Sequence, residues 1–142
     1  MALMTRDQIL GADDIAYEDI DLSDVPGWGV VRIKDLSAGE RDRLEASLVT
    51  ERKERQPDGR VRTVTAPNLA NVRARFCAAC MVGEDGRPLF SEQDVQRLGA
   101  KSAKALDRIF DRVKARNGLD DRAVDELVEN FSNDQSDGLP SA

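Results

Sequence analysis

Two cysteines, Cys77 and Cys80, form a Cys-x-x-Cys pattern that serves redox or metal chemistry in many proteins. A tetrahedral zinc site needs four ligands, and the chain has no histidine and no further cysteine. A redox pair normally opens a helix, where free backbone N–H groups stabilise the first thiolate. Here the pair falls near the end of a predicted helix, which predicts buried structural cysteines in a reducing compartment. A thiol or metal protein built on Cys77 and Cys80 stays open as a second alternative.

Other residue patterns that carry catalysis are missing from the sequence. Without histidine the chain lacks the commonest general base, and its carboxylates fall in predicted helix caps and on charged faces. No glycine-rich phosphate loop, nucleophile elbow or calcium loop occurs. The sequence therefore predicts a protein that is not an enzyme and that uses no cofactor and no metal. It also contains neither a signal peptide nor an apolar run of roughly 20 residues, which predicts a soluble cytoplasmic protein without membrane contact.

The strongest helical pattern lies between residues 67 and 117. A first helix is predicted from Pro67 to a turn at residues 84–88. Its inward face consists of Leu69, Val72, Phe76 and Cys80. A weak capping box from Ser91 to Asp94 predicts a short second helix. A third helix is predicted over residues 100–117, with Gly118 as a left-handed C-cap. Its inward face consists of Leu106, Ile109, Phe110 and Val113.

Patterns in the N-terminal part of the sequence predict shorter elements of secondary structure. Residues 1–14 form an arm with one helical turn, because Thr5 and Gln8 make a capping box. Alternating apolar positions predict a β-hairpin over residues 17–34, in which Trp28 packs onto the helices. A complete capping box from Ser37 to Glu40 predicts a helix that ends at about residue 50.

Residues 51–66 lack a helical pattern and are predicted to form a mobile basic loop. A last helix is predicted within residues 120–131, followed by a disordered polar tail over residues 132–142. The sequence thus predicts one compact, mainly α domain over residues 15–131, with its helical core at residues 67–131, a small N-terminal β-hairpin and disordered ends. In class terms it is α+β.

The net charge of −6 conceals a strong division along the chain. Residues 1–31 carry seven acids and one base, and residues 119–142 also carry seven acids and one base. Residues 32–118 hold nineteen bases and thirteen acids. This division indicates either intramolecular charge pairing or a basic surface for an acidic partner. A nucleic-acid or nucleoprotein-binding adaptor that uses the basic middle segment is therefore the first alternative function, although the acidic total argues against it.

Six segments in order resemble one known family, the tail assembly chaperones that long-tailed bacteriophages encode beside the tape measure gene. The segments are residues 4–10 (MTRDQIL), 25–34 (VPGWGVVRIK), 36–42 (LSAGERD), 71–75 (NVRAR), 84–91 (EDGRPLFS) and 98–110 (LGAKSAKALDRIF). The resemblance rests on their order and spacing over most of the chain.

This resemblance implies a non-enzymatic chaperone that binds the tape measure protein and keeps it soluble until the tail tube assembles around it. The implied partners are the tape measure protein and, secondarily, the tail tube protein, with a homo-oligomer as an open alternative and with neither nucleic acid nor membrane. The implied location is the cytoplasm of the infected bacterial host and not the mature virion. Members of the family commonly occur in a short form and a frameshifted longer form, and this chain would correspond to the short form.

A chaperone of this kind is expected to lay an apolar helical face along its client. Two predicted helices offer such a face. The candidate partner-binding residues are Leu44, Leu48, Val124, Leu127, Val128 and Phe131. The alternative is that all six pack internally, because a chain with only 4% aromatic residues needs most of its aliphatic side chains for its core.

Overall fold

This computed structural model describes residues 2–119. It contains more β-strand than the sequence predicts. Five strands form two antiparallel sheets, accompanied by five α-helices and one 3-10 turn among these residues. Helices account for 38% and strands for 23%, so the expectation of a mainly α protein is wrong and the protein is of mixed α and β class. The predicted last helix within residues 120–131 and the polar tail lie outside the described residues.

The N-terminal elements follow the sequence prediction. Helix α1 (Arg6–Leu10) begins at a complete capping box between Thr5 and Gln8. Strands β1 (Tyr17–Asp21) and β2 (Val30–Lys34) then pair antiparallel as the predicted hairpin. Trp28, in the connection, is half-buried and packs against the core, as expected.

Helix α2 (Ala38–Ala46) starts at the predicted capping box of Ser37 and Glu40 but ends earlier than expected. Leu48 N–H still bonds to the Glu45 carbonyl at 3.1 Å, after which the chain becomes extended. The prediction placed the end at about residue 50, because Leu48 and Val49 continue the apolar spacing. In the structure Val49 instead begins a strand.

The predicted mobile loop over residues 51–66 is wrong as regards structure, since this segment forms most of a β-hairpin. Strands β3 (Val49–Arg55) and β4 (Val61–Pro67) pair along seven residues each. Gly59, at φ 84°, makes the turn, and Gln56 N–H bonds to the Arg60 carbonyl at 2.7 Å. Charged residues of β3 lie opposite β-branched residues of β4, as in the pair Lys53 and Thr63. The dense charge concealed this strand pattern, although Thr and Val favour strands.

Helix α3 (Val72–Cys80) begins five residues later than predicted, because Pro67 is the last residue of β4. Asn71 precedes the helix in the left-handed region at φ 51°. Leu69 consequently lies outside the helix and is 46% exposed. At its other end α3 continues directly into strand β5 (Met81–Val82). This strand pairs with β2 and completes a sheet of order β1-β2-β5.

The C-terminal half of the described chain agrees well with prediction. Gly86, at φ 77°, lies in the predicted turn. The 3-10 turn Glu92–Asp94, helix α4 (Val95–Gly99) and helix α5 (Ala103–Arg116) follow it. All four predicted inward residues of α5 are buried: Leu106, Ile109, Phe110 and Val113. Phe76 of α3 meets Phe110 edge to face, with ring centroids 5.3 Å apart.

The end of α5 ties three parts of the chain together. Gly118 is left-handed at φ 66°, and Leu119 N–H bonds to the Lys114 carbonyl at 2.8 Å, which is a Schellman C-cap. The Asn117 side chain donates to the Val113 carbonyl at 2.8 Å and accepts from Leu36 N–H at 2.9 Å. One amide side chain thus connects the α5 end to the segment that leads into α2.

We expect Asn117→Ala to lower the free energy of unfolding by about 1–3 kcal/mol, because it leaves two half-buried backbone groups without their partner. Urea denaturation at pH 7 measures the change. The matched control is Gln96→Ala on the exposed side of α4, which should stay within about 0.5 kcal/mol of the wild type. Equal stabilities of the two variants would contradict the role of Asn117.

Candidate partner-binding site

The Cys77 and Cys80 side chains are fully buried and form no disulfide. Burial raises the pKa of each thiol to about 12. The Cys77 thiol donates a weak hydrogen bond to the Leu106 carbonyl, with sulfur and oxygen 3.6 Å apart. Both thiols are therefore protonated at neutral pH and out of reach of a substrate, which confirms the prediction of buried cysteines. Within residues 2–119 no three His, Cys, Asp or Glu side chains are grouped to hold a metal ion.

We expect neither cysteine to react with iodoacetamide at pH 8.5 in the native protein, and both to react in concentrated urea. Mass spectrometry counts the added groups. Because the folded-state pKa lies above the usual 9.0, thiol burial favours the folded state below pH 9 and loses this effect as the pH rises toward 12. Native-state labelling at a rate like that in urea would contradict this burial.

A row of basic residues along α5 pairs with the acidic N-terminal part of the chain. The row has four-residue spacing and consists of Lys104, Arg108, Arg112 and Arg116. Arg112 donates two hydrogen bonds of 2.7 Å to the Glu18 carboxylate, and these hold the pKa of Glu18 below its ordinary value. Arg116 donates to Asp35 at 2.6 Å. These pairs attach strand β1 and the end of β2 to the helix.

The other half of this basic row meets the connection between β1 and β2. Arg108 donates to the Asp24 carboxylate and, at 2.7 Å, to the Asp21 carbonyl. Lys104 lies 3.4 Å from the same Asp24 carboxylate. Much of the acidic N-terminal charge is thus paired within the molecule, so the intramolecular alternative is correct for these residues.

The β3–β4 hairpin is held at its base by a single arginine of α3. The Arg75 guanidinium donates to the Ser47 carbonyl at 2.5 Å and also to the Asn68 carbonyl. Asn68 N–H bonds to the Leu48 carbonyl at 2.7 Å, which closes the hairpin. Burial lowers the pKa of Arg75. The sequence analysis missed this role, because it considered only the apolar face of this helix.

Beyond its base the hairpin presents an exposed basic face. Lys53 and Arg55 of β3 lie opposite Thr63 and Val61 of β4, and all four are exposed. Neither Lys53 nor Arg55 forms an ion pair with any residue between 2 and 119. This face is therefore a candidate surface for an anionic partner.

The structure describes two of the six predicted partner-binding residues. Leu44 is 7% exposed and Leu48 is fully buried, and both belong to the hydrophobic core. These two leucines follow the internal-packing alternative, because both Leu44 on α2 and Leu48 just after the helix face the core. The remaining four, Val124, Leu127, Val128 and Phe131, lie outside the described residues.

Four exposed apolar side chains lie close together in the N-terminal arm, which the sequence analysis did not select, and two of them, Leu3 and Leu10, are the most exposed large apolar side chains among the described residues. Leu3 is 95% exposed, Met4 60%, Ile9 56% and Leu10 69%. No residue of α1 is buried. An isolated helix this short is marginal in water, so a capped helix with exposed aliphatic residues is typical of a segment that packs against a partner. A capping box followed by Ile-Leu was the available sequence signal.

The body of the protein also contains open apolar grooves. The first, of about 650 Å³, lies between α3 and α5 and is lined by Leu69, Val72, Leu106 and Phe110, with Arg73 and Lys101 among its polar residues. The second, of about 710 Å³, lies beside Trp28 and Phe90. Either groove has the size and character of a binding site for a small apolar surface.

None of the helices between residues 2 and 119 has both the length and the apolar character needed to span a bilayer. No family model, curated protein or solved structure matches this chain.

Proposed function

We propose that this chain is a non-enzymatic phage tail assembly chaperone, which binds the tape measure protein and keeps it soluble in the cytoplasm of the infected host. The proposal starts from the resemblance of six ordered segments to that family. Five of those segments lie around caps, turns and packed helices of the described fold, at residues 25–34, 36–42, 71–75, 84–91 and 98–110. The sixth, residues 4–10, is the exposed arm.

The observation that carries the proposal is the exposure of Leu3, Met4, Ile9 and Leu10 around a properly capped α1. Moving aliphatic side chains out of water is favourable, because it lowers the free energy of the system. Within the described fold, the aliphatic side chains of the arm remain in water. A long helical client offers apolar stripes that the arm can cover. Each arm is small, so one arm is expected to bind weakly. Many copies of the protein bound along one client would together keep it soluble.

The test is co-expression with the tape measure protein of the same genome, followed by pull-down and a solubility assay. We expect the double variant Ile9→Asp, Leu10→Asp to reduce soluble, bound client at least about tenfold, because a charge in place of each aliphatic group that the client covers costs more than the roughly 1.4 kcal/mol that a factor of ten requires.

The matched control for this test is Val61→Asp, at a 60% exposed position on the hairpin, which should retain the client. Circular dichroism checks that each variant is folded. A client that is equally soluble with the wild type, with the arm variant and without the chain would contradict the chaperone function.

A second candidate, nucleic-acid binding, is supported by the β3–β4 hairpin. A two-stranded β-ribbon fits the major groove of DNA. Lys53 and Arg55 supply two cations on one face that form no ion pair within residues 2–119. The acidic net charge and the absence of an exposed aromatic residue on the hairpin argue against it.

If the hairpin does bind DNA, the affinity for a duplex falls steeply with salt. The variant Lys53→Glu, Arg55→Glu should then reduce the slope of log affinity against log salt by about 1.8, since each lost phosphate contact contributes about 0.9. Fluorescence anisotropy with a labelled duplex measures the affinity and its dependence on salt. No binding at 50 mM salt excludes this candidate.

A further inference from the structure

The groove between α3 and α5 is apolar at its floor and open above. Leu106 and Phe110 of α5 form the floor and are nearly buried, at 4% and 8% exposure. Leu69 and Val72 form the wall on the α3 side. Leu69 remains 46% exposed, so among residues 2–119 nothing covers the groove from this side. An apolar segment laid over the groove would remove Leu69 from water.

The rim of the groove is basic. Lys101 is exposed and forms no ion pair within the described part of the chain. Arg73 contacts Asp107 at 2.9 Å, but both side chains remain about half exposed and open to a further partner. Lys114 lies over the Phe110 ring, 4.5 Å from its centroid. The occupant that suits this rim is therefore apolar on one face and acidic on the other.

The chain leaves the described fold at a position from which it can return to this groove. Leu119 is 1% exposed and anchors the end of α5, and the Schellman cap at Gly118 reverses the chain direction. A short turn of this kind joins antiparallel helices. A helix that continued from this cap in the reversed direction would run back along α5, toward Phe110 and Leu106.

Residues 120–131 have the sequence that such an occupant needs. Their apolar residues recur at i, i+3, i+4 and i+7 and are Val124, Leu127, Val128 and Phe131. The remaining positions include five acids and one base. As a helix, these twelve residues would span about 18 Å at 1.5 Å per residue, which is close to the length of α5 between Leu106 and its end.

We propose that residues 120–131 of the same chain dock in the groove between α3 and α5, with Leu127 and its apolar neighbours on Leu69, Leu106 and Phe110 and with the acids near Arg73 and Lys101. The length of chain beyond Leu119, its point of departure and the opposite charges of segment and rim carry this inference. It goes beyond the chaperone function and does not depend on it.

The test uses the full-length, isotope-labelled protein and NMR. We expect Leu127→Asp to shift the amide signals of Leu69, Val72 and Lys101 and to raise hydrogen exchange in residues 124–131 at least about tenfold. Val61→Asp, on the hairpin, is the matched control and should leave these signals in place. Groove signals that do not respond to Leu127→Asp would overturn the proposal.

A reciprocal variant covers the case in which Leu127→Asp is poorly folded. Leu69→Asp changes an exposed residue outside any helix, and it should release residues 124–131 with the same rise in exchange. Unchanged exchange in this variant contradicts the docking.

Two further measurements identify the occupant. Docking within one chain is independent of concentration, so groove signals that revert on dilution would assign the groove to a second copy and overturn the proposal. The arm is tested by Ile9→Asp. Groove shifts with this variant but not with Leu127→Asp would assign the groove to the arm and equally overturn it.

Discussion

The burial of α3 on nearly all sides is the constraint on which the rest of the structure depends. Five of its nine residues are buried, and Phe76 meets the Phe110 ring of α5. A helix that is apolar around most of its circumference belongs at the centre of a fold. Because α3 continues without a loop into β5, its position also determines where β2 pairs and where the three-stranded sheet lies. One charged side chain on this helix, Arg75, is used to hold the base of the second hairpin.

Charge pairing forms a second layer outside this core. Exposed ion pairs individually contribute little to stability, typically about 0–1 kcal/mol. The basic row on α5 differs from isolated ion pairs in its arrangement. Arg112 donates two hydrogen bonds to the Glu18 carboxylate, and Arg116 donates to the Asp35 carboxylate. Such forked geometry adds specificity. We infer that the row chiefly sets the register of the first sheet on α5, while the apolar contacts beneath supply most of the stability.

Local signals in the sequence predicted local structure well. The caps at Thr5, Ser37 and Gly118 and the hairpin over residues 17–34 are all observed, because each depends on neighbouring residues alone. The fold class was wrong chiefly because β3 and β4 are stabilised by pairing with each other, and their charged residues mask the period-two pattern. Two of the six candidate partner-binding residues, Leu44 and Leu48, lie in the core for a related reason. Whether Leu44 and Leu48 face inward or outward depends on what lies across from α2, which spacing along one helix does not reveal.

Basic residues from the middle of the chain lie on two faces around α5, and the two faces differ in what contacts them. On one face Lys104, Arg108, Arg112 and Arg116 are matched by the acids of the first sheet. On the other, Lys101 and the half-exposed Arg73 surround an apolar groove. Residues 1–31 and 119–142 each carry a net charge of −6. Among residues 2–119, the ion-pair partners of the first face are Glu18, Asp24 and Asp35. An acidic, periodically apolar segment that follows directly from α5 therefore has a basic, apolar surface within reach. Charge balance and hydrophobic burial favour the same placement, which is why this segment is expected in the groove and not on the paired face.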